Sequence, residues 1–125
     1  MPIISKLKSY QDLEVWKKSI DLAEMVYRVS AQFPPEEKFG MTSQVRRAAA
    51  SVPANIAEGA ERNATREFLQ FLGIASGSLA ETETFLILAE RLGMVTKAQT
   101  SPLQAQAADV GRMLNGLKRS LRSKT

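Results

Sequence analysis

The chain has no cysteine and no histidine among its 125 residues. That excludes disulfides, thiolate nucleophiles, Ser-His and Cys-His catalytic pairs, and zinc centres built on those ligands. The acid–base groups that remain are carboxylates and amines, so most enzyme chemistry has nothing to start from. Aromatic residues are scarce, at 6% with a single tryptophan. Nowhere do about 18 apolar residues follow one another. The opening Met1-Pro2-Ile3-Ile4-Ser5-Lys6-Leu7-Lys8 never builds the apolar run of a secretory signal. The expected location is therefore the cytoplasm, with no membrane partner. No stretch alternates as a strand does, and no repeat or low-complexity segment is present.

What is present is enough for one domain. A composition of 44% hydrophobic and 24% charged residues supports a single core over residues 1–125, with short flexible ends expected at about 1–9 and 122–125. Lys and Arg number 17 against 13 Asp and Glu, a net charge of +4 that is basic without being polybasic. Such a surplus permits contact with a polyanion but does not require it.

Apolar periodicity divides the chain into four helices. The first carries two stripes, Leu13, Trp16, Ile20, Ala23, Tyr27 and Val15, Leu22, Val26, Val29, Phe33. Its third face is charged, with i,i+4 pairs expected for Glu14 with Lys18, Lys17 with Asp21, and Glu24 with Arg28. Ser9 and Asp12 are candidate caps, and Pro34-Pro35 stops the helix after Phe33. The second helix follows Met41, Val45, Ala48 or Ala49, Val52 and Ile56, with Thr42 or Ser43 as cap and a kink expected at Pro53. The third runs Phe68, Leu72, Ala75, Leu79, Thr82, Leu86, Ala89, begins at a Thr65 cap and stops at Gly93. Gly77 in its middle predicts a tight helix crossing. The fourth runs Leu103, Ala107, Val110, Leu114, Leu117, Leu121, capped by Ser101 before Pro102, with Thr96 as an earlier start. Helices of roughly 20 to 27 residues are about 30 to 40 Å long and can lie side by side. Short connections and near-heptad seams predict an all-α fold, an antiparallel up-and-down left-handed four-helix bundle.

Four segments resemble a known family. They are Tyr10-Gln11-Asp12-Leu13-Glu14-Val15-Trp16; Phe33-Pro34 with Phe39-Gly40-Met41-Thr42-Ser43-Gln44-Val45-Arg46-Arg47-Ala48-Ala49; Ser51-Val52-Pro53-Ala54-Asn55-Ile56-Ala57-Glu58-Gly59; and Phe68-Leu69-Gln70-Phe71-Leu72 leading to Ala75-Ser76-Gly77-Ser78-Leu79-Ala80-Glu81. The last helix matches at Arg112-Met113-Leu114-Asn115-Gly116-Leu117. Together they resemble the bacterial four-helix bundle proteins known as 23S rRNA intervening sequence proteins. The resemblance implies an antiparallel four-helix protomer and a ring-like homopentamer. It implies no enzymatic activity. It also extends to the accessory protein of diversity-generating retroelements, which binds nucleic acid and works with a reverse transcriptase, so RNA, DNA and a reverse transcriptase or other protein are the partners it suggests.

The candidate phosphate contacts are Arg46 and Arg47, whose guanidinium groups suit bidentate pairing, and the tail Lys118, Arg119, Arg122, Lys124, which no acid follows. Arg46 and Arg47 point about 100 degrees apart on a helix, so one is expected to be structural, paired with Glu58, Glu81 or Glu83. Asn55, Glu58, Glu81 and Glu83 read as a polar network that fixes helix register, not as a catalytic set, because none belongs to the Glu-x-x-His pattern of di-iron bundles. Trp16, Tyr27, Phe68, Phe71 and Phe85 fall on core stripes and read as packing residues, not base-stacking ones. No cofactor, metal or small-molecule substrate is expected. The function that follows is a non-enzymatic oligomeric scaffold that binds RNA or DNA through backbone phosphates. The alternative is a protein-interaction adaptor with no nucleic-acid ligand.

Overall fold

A computed structural model describes residues 9–124 of the chain. These form four α-helices, α1 (Glu14–Ser30), α2 (Met41–Ala60), α3 (Thr65–Arg91) and α4 (Lys97–Arg122), with single 3₁₀ turns at Tyr10–Asp12 and Pro35–Glu37. Residues 1–8 and 125, which hold most of the ends expected to be loose, lie outside the described residues.

Contacts run α1 to α2, α2 to α3, α3 to α4 and α4 back to α1, and the α2–α3 contact is the most extensive. The register is antiparallel throughout. Ser51 meets Ser78 while Gly59 lies against Phe68 and Phe71. Lys118 reaches Ser76 while Thr100 reaches Glu90. Gln99 bonds Gln32, and Gln106 bonds the Lys18 carbonyl at 3.0 Å. This is the up-and-down four-helix arrangement that the seams predict.

The seams themselves form the core. Leu22, Val26, Val45, Val52, Ile56, Phe68, Leu72, Leu86, Val110, Leu114 and Leu121 are fully buried. Of the two stripes on α1, the second turns fully inward, while the first is buried at Leu13, half-buried at Trp16 and Ala23 and otherwise exposed. Val15, Leu22, Val26, Val29 and Phe33 are buried, while Ile20 and Tyr27 of the first stripe are 38% and 45% exposed. α3 is long and apolar enough to cross a membrane by length and composition alone. Its Phe68, Leu72, Ala75, Leu79, Leu86 and Ala89 instead supply the bundle interior.

The helix boundaries correct several expectations. α4 starts five residues before Pro102, because Thr96 and Gln99 form a reciprocal capping box: the Thr96 hydroxyl accepts from the Gln99 N–H at 3.2 Å, and the Gln99 amide oxygen accepts from the Thr96 N–H at 2.9 Å. Ser101 is therefore inside the helix, its hydroxyl donating to the Lys97 carbonyl at 2.8 Å. At α2 neither Thr42 nor Ser43 caps. Gly40 is the N-cap, and the Glu37 carboxylate accepts from the Met41 N–H at 3.0 Å. Thr65 is the first residue of α3 and not its cap. Ser9 and Asp12 close a capping box on the 3₁₀ turn that precedes α1, not on α1 itself. α1 ends at Ser30, three residues earlier than read, although Phe33 still packs into the core.

Gly93 stops α3 as predicted. It has φ 77°, and the Met94 N–H reaches back to the Ala89 carbonyl at 2.9 Å. Gly77, in contrast, sits at no helix crossing, since a Cβ there would meet nothing within 4 Å. The close approach lies at Gly59, where a Cβ would fall 2.8 Å from Phe71 Cβ and 3.2 Å from the Phe68 carbonyl oxygen.

Candidate nucleic-acid interface

The six candidate cations do not come together. Arg46 projects from α2 onto the last turn of α1, where its Nε donates to the Ser30 hydroxyl at 2.8 Å and a terminal nitrogen donates to the Tyr27 carbonyl at 3.1 Å. Its guanidinium also covers the Tyr27 ring, 4.8 Å from the centroid. One of the two arginines is thus structural, but its partners are a helix C-terminus and an aromatic face, not Glu58, Glu81 or Glu83. Positive charge there complements the α1 dipole. Arg47, one residue on, is exposed and without a partner among the described residues.

The tail cations occupy the opposite end of the bundle, Lys118, Arg119 and Arg122 in the last turns of α4 and Lys124 just beyond it. The Lys118 ammonium donates to the Ser76 hydroxyl of α3 at 2.6 Å. Burial, and then the charge of Arg122, hold its pKa below the ordinary lysine value. Arg119, Arg122 and Lys124 are exposed. Asp109, the last acid in the sequence, pairs with Arg112. The four cations beyond Arg112 are therefore followed and preceded by no unengaged acid on their own helix.

Of the four residues read as a polar network, Asn55 alone joins a buried one. Its amide donates to the Ser51 carbonyl at 2.8 Å and the Ser51 hydroxyl at 2.9 Å, and Ser78 donates to that same hydroxyl at 2.9 Å. Thr82 then donates to the Ser78 carbonyl at 2.9 Å. Glu58 is exposed and pairs with Arg62 at 2.9 Å, Glu81 is exposed, and Glu83 offers its backbone carbonyl to Gln104. The serines were the members sequence reasoning missed. Their signal was legible as Ser51-x-x-x-Asn55 on one helix face, since residues four apart are neighbours.

The aromatic residues divide likewise. Phe68 is fully buried, whereas Trp16, Phe71 and Phe85 are half-buried and Tyr27 lies outside the core. Trp16 and Tyr10, with Ile20, Ala23, Ala50, Pro53, Ala54 and Ala57, line an open apolar groove of about 320 Å³ between α1 and α2. On α3, Ile74, Ile87 and Leu88 are 48%, 50% and 42% exposed, but Ile74 lies about 20 Å along the helix from the other two and on a different side from Ile87, so they are separate apolar positions and not one patch. Among the described residues, no group of three or more acids stands where it could hold a metal ion. The charge pattern of α1 is simpler than expected: Glu24 pairs with Arg28, while Glu14 pairs with Lys17 at 3.6 Å instead of Lys18.

Fold and surface together define a small antiparallel four-helix protein with an apolar exterior groove and a basic helix end. The chain belongs to the 23S rRNA-intervening sequence protein family, whose model matches residues 11–116. In structure it is similar to a protein of unknown function from the S23 ribosomal protein family of Bacteroides thetaiotaomicron VPI-5482, at 25% identity and a TM-score of 0.75. That match covers 83% of this chain and 97% of the other. No curated protein sequence matches the chain.

Proposed function

We infer that the protein is a non-enzymatic oligomeric scaffold that holds RNA or DNA by its backbone phosphates, without strong sequence preference. The observation that carries this reading is the basic end of α4. Lys118, Arg119, Arg122 and Lys124 stand within two turns of one another with no acid after Asp109 on that helix. Helices gain from cations at the C-terminus, and at Lys118 burial first and then the charge of Arg122 lower the affinity for the proton. A phosphate beside them relieves that repulsion.

Oligomerisation rests on the open apolar groove between α1 and α2, which a second copy could cover. A contact between unlike surfaces of two copies produces a ring when the rotation closes. The ring of five is carried by the family resemblance, and a cytoplasmic location belongs to the same reading. Five copies multiply the +4 of one chain to about +20.

Titration of fluorescent structured RNA, single-stranded DNA and duplex DNA at low salt tests the ligand. Affinity for at least one is expected, and no affinity for any overturns the reading. Light scattering at micromolar concentration tests the assembly, where a clean 13.8 kDa species contradicts it. The exposed Ile74, Ile87 and Leu88 of α3 favour the alternative, a protein-interaction adaptor. Cellular function and partner recovery that survive charge reversal of Lys118, Arg119 and Arg122 select that alternative.

A further inference from the structure

Phe39 lies in what the sequence presents as a linker, yet it is the most exposed large apolar side chain among the described residues, at 89%. The turn that carries it is fixed. The Glu37 N–H donates to the Pro34 carbonyl at 2.9 Å, Lys38 to Pro35 at 3.2 Å and Gly40 to Glu37 at 3.0 Å, and the Glu37 carboxylate ties the turn to the start of α2. The ring is thus held outward by an ordered backbone.

Two cations stand near it. The Lys38 ammonium stands 5.5 Å from the ring centroid, over one face. Arg47 follows Gly40 by seven residues, two helical turns or about 10 Å along the same side of α2, and is exposed without a partner. The turn also carries two acids, the exposed Glu36 and Glu37, whose carboxylate accepts from the Met41 N–H and keeps its charge.

We propose that Phe39 is a stacking platform for an unpaired nucleobase, with Lys38 and Arg47 taking the adjoining phosphates. This rests on the reading of the protein as a nucleic-acid scaffold and adds to it a second contact, at the end of the bundle opposite the α4 cations. An aromatic face flanked by cations matches the two parts of a single-stranded nucleotide, its base and its phosphate. A duplex hides its base faces and gains nothing from the ring.

The test is anisotropy with labelled oligo-dT and oligo-rU beside a duplex hairpin, using the full chain. Phe39→Ala is expected to weaken single-strand binding about 5- to 100-fold and to leave duplex binding and the salt slope unchanged. Phe39→Trp is expected to retain affinity, and Phe39→Leu to behave as the alanine variant. Wild-type affinity for single strands in Phe39→Ala or Phe39→Leu overturns the proposal. So does a change in oligomeric state, which makes Phe39 a contact between copies. If wild type binds nucleic acid but Phe39→Ala is silent, this proposal alone fails. If wild type binds none, the scaffold reading fails and takes this proposal with it.

Discussion

Two glycines on the same bundle allow the α2–α3 packing to be weighed against helix propensity. Alanine in place of glycine inside a helix is favourable by about 1 kcal/mol. At Gly77 a Cβ would meet nothing within 4 Å, so Gly77→Ala should show that gain undiminished. At Gly59 the same methyl would lie 2.8 Å from Phe71 Cβ, 2.9 Å from Phe68 Cδ1 and 3.2 Å from the Phe68 carbonyl oxygen. Two of these atoms, a Cβ and a carbonyl oxygen, cannot move without the α3 backbone. Overpacking of this kind costs about 1 to 3 kcal/mol, so the propensity gain is cancelled or reversed. The difference between the two variants removes the propensity term and isolates the steric cost, expected at about 1 to 3 kcal/mol or roughly 3 to 10 °C in midpoint. Thermal and urea unfolding followed by circular dichroism, at one protomer concentration so that assembly is held fixed, gives both values. Gly59→Ala as stable as Gly77→Ala would refute the claim that α2 and α3 touch most closely there.

Further outcomes follow from the polar contacts. Arg46→Met removes the bonds to Ser30 and Tyr27 and should cost about 1 to 3 kcal/mol, whereas Arg47→Met should stay within about 0.5 kcal/mol in the same urea experiment. Ser51→Ala leaves both Asn55 and Ser78 short of an acceptor, and a double-mutant cycle with Ser78→Ala should show coupling of about 0.5 kcal/mol or more. Lys118 has a lowered folded pKa, so between that value and the ordinary 10.5 the unfolded chain binds more protons, and stability rises with pH across the window. The stability of wild type relative to Lys118→Met should therefore improve from pH 7 towards 10.5, and a flat difference would contradict the burial and the Arg122 repulsion that lower the Lys118 pKa.

The helices were readable because alternating steps of three and four leave one buried line on each, and Phe68 through Ala89 followed that line throughout. The pattern offers two starts for α4, Ser101 before Pro102 and Thr96, and the structure takes the earlier one. The capping box satisfies two N–H groups in opposite directions, and the helix then carries Pro102 in its second turn. Which stripe of α1 faces inward was beyond the pattern, since Trp16 and Val15 are equally apolar and only the neighbouring helices choose between them. The candidate site was less legible still. Spacing placed Arg46 beside Arg47, but the Tyr27 carbonyl that engages the first belongs to another helix. Phe39 gave no periodic signal at all, because a turn has none.

Salt dependence of nucleic-acid binding tests the central claim most directly. Phosphate contacts release counterions, so log affinity falls linearly with log salt, by about 0.9 for each contact with a duplex and 0.7 with a single strand. Wild type should show a steep slope, and the variant Lys118→Gln, Arg119→Gln, Arg122→Gln should lower it by about 2 to 3 while the assembly stays intact. An identical slope and affinity in the two proteins would contradict the assignment of the α4 end as the surface that holds the phosphate backbone.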